Sequence, residues 1–201
     1  VVGMEYQGTT QVLNIIQFIQ KYIADKIEEK TVKPFRYKLA CYYGCLLVRP
    51  HNILKFDRVE DPQMMDDLVR KAGGDPIDWA FKTECCGAGM SVSRTDIVAR
   101  LSAGIVEDAF DRNAEAIVVA CPMCHSNLDM RRKEINEYLK KKIDIPVLYL
   151  SQVIGLAVGV SPKELGLQRH MVEVNLSEKP AIAEPASEKP KKVLTTQEEG
   201  A

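Results

Sequence analysis

The placement of six cysteines constrains this chain more than any other feature. They fall in three groups: Cys41 and Cys45, the adjacent pair in Cys85-Cys86-Gly87, and the two in Cys121-Pro122-Met123-Cys124. Thiolate sulfur is a strong ligand for iron and zinc, and cysteines grouped at short spacings are how a chain wraps one metal centre. A stray buried cysteine behaves as a small hydrophobe and has no reason to come in groups. No secretory pattern opens the chain, so the cysteines read as metal-binding or redox groups rather than structural disulfides.

The rest of the composition narrows the class. At 201 residues, 46% hydrophobic and 27% charged, the chain suits one α/β domain with extensions. A formal net charge of −1 gives no basic patch for nucleic acid. The longest apolar stretch, Val147 to Val160, is short of a membrane span and carries Ser151 and Gln152. A cytoplasmic location is expected. The start at Val1-Val2-Gly3, without Met, reads as a fragment or a processed chain.

Periodicity predicts the elements. Val12, Ile15, Ile16, Ile19, Ile23 and Ile27 recur at helical spacing, which predicts an amphipathic helix over about 10–29 with Thr9-Thr10 as caps. Tyr37 to Tyr43 reads as a buried strand ending at Gly44-Cys45. A helix through Met65, Leu68 and Val69 ends near Gly73-Gly74, and Trp79 to Thr83 reads as a second strand. A helix over about 94–112 is followed by a β-branched strand, Ala116 to Ala120. Pro122 suits the first position of a helix predicted to run to about Lys141, closed by Lys140-Lys141-Lys142. Val147 to Leu150 is a fourth strand, and Ser151 caps a last short helix. This alternation predicts an α/β fold with a parallel sheet flanked by helices. Sites in such sheets form at the carboxyl ends of strands, where Cys45, Cys85-Cys86 and Cys121 all fall.

Several chemistries fit these groups. Four cysteines fill a tetrahedral zinc site or hold a cubane iron–sulfur cluster, and an excess over four argues against simple zinc. A Cys121–Cys124 disulfide of thioredoxin type fits the strand–CxxC–helix context but leaves Cys45 and Cys85-Cys86 unexplained. Gly87 and Gly89 let the backbone curl so that adjacent cysteines meet one centre. Cys41, on a strand with Cys45, would lie about 13 Å from it on the same side and reads as a core thiol, or otherwise as a ligand or redox reserve. His125 follows the last cysteine and is a candidate proton donor. Arg49 and Arg94 are candidates to offset cluster charge or hold a carboxylate. His51 and His170 read as ordinary.

Two longer motifs carry a resemblance. Tyr42-Tyr43-Gly44-Cys45-Leu46-Leu47-Val48-Arg49-Pro50 and Cys121-Pro122-Met123-Cys124-His125-Ser126-Asn127-Leu128-Asp129, with Cys85-Cys86-Gly87 between them, resemble the CCG (cysteine-rich) domain family. The similarity is to the second such domain in the B-type subunit of heterodisulfide reductase and its non-methanogenic relatives, over roughly residues 1–160. The resemblance implies that Cys45, Cys85, Cys86, Cys121 and Cys124 hold a non-cubane [4Fe-4S] cluster. It implies a redox subunit that reduces or forms a disulfide or related sulfur substrate. Its partners would be a cubane-cluster, ferredoxin-like subunit of the C type and a flavoprotein of the A type. Supporting residues around the cluster would be Cys41, Arg49, Gly87 and Arg94. Related domains also serve as non-catalytic electron-transfer subunits in lactate, glycolate and succinate oxidation, which stands as the alternative beside a structural zinc domain.

The chain departs from the family in having one CCG motif where members carry two, and Leu46 where methanogen-type members tend to have His. Residues 1–35 are therefore expected to be a linker and helix following a missing first domain. Residues 36–172 are expected to form the cluster-binding domain. Residues 173–201, where Ser-Glu-Lys-Pro recurs at 177–180 and 187–190, are expected to be a disordered tail.

Overall fold

Two strands with β-branched or aromatic side chains lie at the centre of the computed structural model, which describes residues 3, 5 and 7–176. The elements run α1 (Ile15–Tyr22), α2 (Ala24–Lys30), β1 (Lys38–Tyr42), α3 (His51–Leu54), α4 (Met64–Lys71), β2 (Asp75–Pro76), α5 (Thr95–Asp111), β3 (Ala116–Val119), α6 (Pro122–His125), α7 (Arg132–Leu139), β4 (Val147–Tyr149) and α8 (Leu150–Ala157). The sheet has four strands in the order β2-β1-β3-β4. All pairings are parallel, with Leu39 opposite Ala116 and Tyr42 opposite Val119. Every residue of β3 is buried, as a central strand covered on both faces requires.

Strand alternation sorts the core into two halves. Leu39, Cys41, Tyr43, Val118 and Leu148 face one side, where Ile16, Ile27, Leu68 and Val153 from α1, α2, α4 and α8 cover them. Ala40, Tyr42, Ile117, Val119 and Val147 face the other, against Ile105, Val106 and Ala109 of α5 and Ile135 of α7. The crossover from β1 leaves by α4 on the first face, while those from β2 and β3 use α5 and α7 on the second. The direction of winding therefore reverses between β1 and β3, the place where doubly wound sheets open a crevice at their carboxyl edge.

The predicted α/β fold with a parallel sheet flanked by helices is the observed one. Four local expectations are corrected. The first helix is two helices broken at Ile23, and it starts at Ile15 under an Asn14–Gln17 capping box rather than at Thr9-Thr10. The second strand is Asp75–Pro76, not Trp79–Thr83, where Ala80–Thr83 forms a 3₁₀ turn. Pro76 is tolerated there because β2 is an edge strand. The long helix after Cys121 is three pieces: α6, a π-helical stretch over Ser126–Met130, and α7. The Arg132 side chain caps the Leu128 carbonyl within this break. Helix α8 begins before Ser151: Tyr149 is its cap residue, and its N–H donates to the Gln152 side chain at 2.9 Å.

Residues 177–201 of the expected tail lie outside the described residues. Val174 and Leu176, also assigned to the tail, pack against the first core half. Among the described residues no helix is long and apolar enough to cross a membrane.

Ile117 is fully buried at the centre of the second half-core. Ile117→Ala is expected to lower unfolding stability by about 2–5 kcal/mol, read from urea denaturation with an unchanged m-value. A loss well under 1 kcal/mol would mean that this half-core is not closely packed around Ile117.

Candidate metal centre

Three loops from the carboxyl edge bring the cysteines together, each held by identifiable bonds. After β1 the Tyr43 and Gly44 N–H groups donate to the Lys82 carbonyl at 2.8 and 3.1 Å, which ties the first loop to the turn before Cys85. Gly44 then takes a positive φ of 66°, and a Cβ there would sit 2.9 Å from the Cys124 sulfur. Glycine is thus required twice over, by conformation and by the sulfur beside it. The Tyr42 hydroxyl donates to the Glu84 carbonyl at 2.6 Å and fixes the approach to Cys85-Cys86. Gly87, at φ 79°, packs its Cα side against Val98 and donates its N–H to the Cys85 sulfur at 3.3 Å. The Ser102 hydroxyl and the Asn127 amide both donate to the Cys86 carbonyl, at 3.2 and 3.1 Å.

The sulfurs of Cys45, Cys85, Cys86, Cys121 and Cys124 form one connected set. Cys86 and Cys124 share a thiol hydrogen bond at 3.7 Å. Cys45 interacts with Cys85, and Cys121 with Cys124. The hydrogen bond with Cys124 holds the pKa of the Cys86 thiol down at about 6, with the Asn127 amide adding to the effect. The same bond, together with burial, pushes Cys124 up. Cys86 and Cys124 are buried, Cys45 and Cys121 half-buried and Cys85 exposed, so the set opens to solvent on the Cys85 side.

An all-sulfur donor set suits a soft transition metal and not magnesium or calcium. Among the described residues, the grouping tight enough for a single ion is His125, Asp129 and His170, whose ligand atoms lie within 4.8 Å of one another. Its hydrogen bonds account for it without an ion. Gln152 accepts from the Tyr149 N–H, so its amide nitrogen faces His170 Nε2 at 2.9 Å as donor. His170 must then carry its proton on Nδ1 and donate it to His125 Nε2 at 3.4 Å. Asp129 accepts from the Met171 and Val172 N–H groups at 2.8 and 3.1 Å.

The other candidates separate from the sulfurs. Cys41 is fully buried on the opposite face, because Gly44 breaks the strand alternation between it and Cys45. There burial and then the nearby Asp66 charge raise its thiol well above the usual range. Arg49 pairs with Glu60 at 3.7 Å on the surface. Arg94 forms a two-pronged contact with Asp96 at 2.9 and 2.7 Å. His125 lies flat on the Tyr149 ring, 4.4 Å between centroids, with one ring nitrogen towards His170 and the other bonded to the Val147 backbone. Burial lowers its pKa, and neither nitrogen is left for the sulfurs. His170, expected to be ordinary, is the partner of His125.

Sequence reasoning missed Asn127 and Lys82. Asn127 was legible in principle, as a polar residue one helical turn after Cys124. Lys82 was not. Its buried ammonium lies 2.9 Å from Asp61 and 3.1 Å from the buried Asp66, whose other oxygen accepts from the Tyr43 hydroxyl at 2.6 Å. Burial alone lowers the Lys82 pKa, but the hydrogen bond to Asp61 and the Asp66 charge outweigh it and raise it. Burial raises the Asp66 carboxyl, partly offset by Tyr43 and Lys82.

The family model of the cysteine-rich domain, CCG, matches residues 39–129, from β1 to the π-helical stretch. The chain is 37% identical over 175 residues to the B-type subunit of the ferredoxin/F(420)H(2)-dependent CoB-CoM heterodisulfide reductase of Methanosarcina acetivorans, covering 86% of this chain and 58% of that protein. It is 30% identical over 172 residues to the 8-methylmenaquinol:fumarate reductase membrane anchor subunit of Wolinella succinogenes, covering 85% and 60%. The chain thus spans a little under two thirds of these relatives. A crystal structure of a hypothetical protein from Helicobacter pylori shares the fold, with a TM-score of 0.58 at 14% identity over 76% of this chain and 28% of that one.

Lys82→Met leaves Asp66 buried without its cation and is expected to cost about 3–5 kcal/mol at neutral pH. A folded-state lysine pKa above its ordinary value contributes stability that is complete below about pH 10.5 and is lost as pH rises through the folded value. The deficit of Lys82→Met should therefore hold from pH 7 to about pH 10 and narrow above it, as read by denaturation at each pH. A deficit independent of pH through that window would show that the charge is not the cause. Gly44→Ala is expected to cost about 1–2 kcal/mol from its backbone conformation alone. It should also displace Cys124, raising the reactivity of that thiol towards a disulfide reagent; unchanged reactivity would count against close packing of Gly44 on the sulfur.

Proposed function

We propose the following function for a chain that belongs, through residues 39–129, to the cysteine-rich domain (CCG) family: it is an iron–sulfur redox subunit of the B type found in heterodisulfide reductases. Cys45, Cys85, Cys86, Cys121 and Cys124 hold a non-cubane [4Fe-4S] cluster. The observation that carries this reading is the meeting of five cysteine sulfurs, on three loops, at the winding reversal of the sheet. One tetrahedral zinc ion takes four ligands, so the fifth thiol favours a polynuclear centre. The bound cluster would supply single electrons and a place for sulfur to bind.

The chain's own residues supply position and access. Asn127, with its amide 3.6 Å from the Cys86 sulfur, and the Gly87 N–H at Cys85 give the sulfurs hydrogen-bond donors, which stabilise their negative charge. Exposure of Cys85 leaves one side open to a disulfide or thiol substrate. Leu46, Met90, Val92 and Met123, close in sequence to these cysteines, are 73%, 44%, 97% and 44% exposed. Apolar side chains so placed are suited to burial against a second cysteine-rich domain or a partner subunit. The expected electron donors are a cubane-cluster subunit and a flavoprotein subunit, in the cytoplasm, where thiols stay reduced.

A second reading is favoured by the fumarate reductase relative, itself named a membrane anchor subunit. In that case the centre passes electrons on without touching substrate. Anaerobic protein made with cluster-assembly support separates the readings. About four irons and four sulfides per chain are expected, with a paramagnetic signal that changes on adding thiol. A thiol-indifferent signal would move the assignment to electron relay, and zinc without iron would sink both. Serine at any of the five cysteines is expected to lower iron content severalfold, while Cys41→Ser leaves it unchanged; iron lost equally in Cys41→Ser would overturn the ligand assignment.

A further inference from the structure

Ser91 joins the segment after Cys85-Cys86 to the π-helical stretch through two different groups. The Arg131 guanidinium donates to its backbone carbonyl. Its hydroxyl, on a residue only 8% exposed, lies 2.9 Å from the Ala88 carbonyl and 3.0 Å from Asn127 Oδ1. A hydroxyl has one proton, so it donates fully to one of the two. The Asn127 amide decides which. Asn127 is fully buried, and its Nδ2 lies 3.1 Å from the Cys86 carbonyl, which can only accept. The nitrogen must therefore face Cys86, and the oxygen Ser91. That buried oxygen needs a donor, and among the described residues the Ser91 hydroxyl supplies it. The Ala88 carbonyl competes weakly, because it already accepts from the Ser91 N–H at 3.3 Å.

The second Nδ2 proton is then available to the Cys86 sulfur, 3.6 Å away. That bond is long, so its strength depends on the amide being held in one rotation. We infer that Ser91 is a positioning residue of the cysteine centre: its hydroxyl fixes the Asn127 amide so that an N–H, and not the oxygen, meets the Cys86 sulfur. The inference rests on the reading of Cys86 as a cluster ligand. A ligating sulfur carries no proton and only accepts, and hydrogen bonds to the sulfurs are one of the terms that set a cluster's potential. Donors there favour the more negative, reduced state. With its oxygen turned to Cys86, the amide would instead repel both the sulfur and the carbonyl. Loss of the hydroxyl leaves the Ser91 backbone anchored by Arg131, so the amide is what it releases.

The test is a double-substitution cycle on the full chain, loaded with its cluster anaerobically and followed by redox titration. Ser91→Ala and Asn127→Ala are each expected to lower the ratio of reduced to oxidised cluster at a fixed potential about tenfold, a midpoint about 59 mV more negative for one electron. The double variant should fall no further than Asn127→Ala, because Ser91 acts through Asn127. Ser91→Thr, which keeps the hydroxyl, should restore the midpoint. An unmoved midpoint in Ser91→Ala, additive effects in the double variant, or a Ser91→Thr midpoint as low as that of Ser91→Ala would each overturn the proposal. A second readout needs no cluster. In the full chain with reduced thiols, solvent exchange of the Asn127 Nδ2 protons, followed by nuclear magnetic resonance, should quicken at least about tenfold in Ser91→Ala and stay slow in Ser91→Thr. Zinc in place of iron would sink the cluster reading, and this exchange would then decide the Ser91–Asn127 bond by itself; exchange unchanged in Ser91→Ala would overturn it. If Ser91→Ala does not fold, the unsubstituted chain decides. Deuterium on the Ser91 hydroxyl should shift the resonance of the Asn127 side-chain carbonyl carbon and leave that of the Ala88 carbonyl in place, and the reverse would overturn the proposal.

Discussion

The parallel pairing of β1 with β3 is the constraint on which the rest depends. It sets Tyr42 opposite Val119, so that the two strands end level and their following loops start side by side. One loop carries Cys45 and the other Cys121 and Cys124. Because the chain then leaves in opposite directions across the two faces, neither loop covers the other. A crevice remains between them, and the crossover segment after β2 delivers Cys85 and Cys86 into it. A slip of the register by one residue would turn Cys41 towards the sulfurs and Tyr42 away, since side chains alternate along a strand.

The crevice is stiffened by polar groups rather than by regular structure. The Lys82 carbonyl receives the two N–H groups that follow β1, while its ammonium reaches back to Asp61 and Asp66. Asp66 in turn receives the hydroxyl of Tyr43, the residue between the strand and Gly44. Three segments distant in sequence are so locked behind Cys45 and Cys85. Buried charge pairs seldom add net stability over an apolar replacement, but removing one member is costly, so such a network acts more as a constraint on geometry than as a source of stability. On the other side, Asn127 and Ser102 hold the Cys86 carbonyl. The π-helical stretch buries Asn127 against Cys86 and Asp129 against the Met171 and Val172 N–H groups.

The sequence made the alternation of strands and helices legible because β-branched runs such as Ala116–Val119 and periodic runs such as Thr95–Asp111 carry strong signals. The errors have physical causes. Trp79–Thr83 has the composition of a strand, but Trp79 is used to donate its indole N–H to the Cys41 carbonyl at 3.1 Å, and the turn that follows is set by tertiary bonds. The apparent helix after Cys121 has unbroken helical propensity. Its division goes with Arg132 donating to the Ile143 and Ile145 carbonyls and Asp129 accepting from the Met171 and Val172 N–H groups, contacts beyond the segment itself.

The candidate site divides in the same way. The sequence by itself determined which thiols come in groups, that Cys45 and Cys121 follow strand ends, and that glycines accompany them, because covalent spacing and backbone conformation are local. It could not decide that Cys41 belongs to the opposite core, that Arg49 and Arg94 are occupied at the surface, or that His125 is turned onto Tyr149 and His170. Nor could it reveal a lysine buried between two aspartates. Those depend on which face a residue meets and on what lies across the gap. Only the packing of the sheet between its two helical layers settles that.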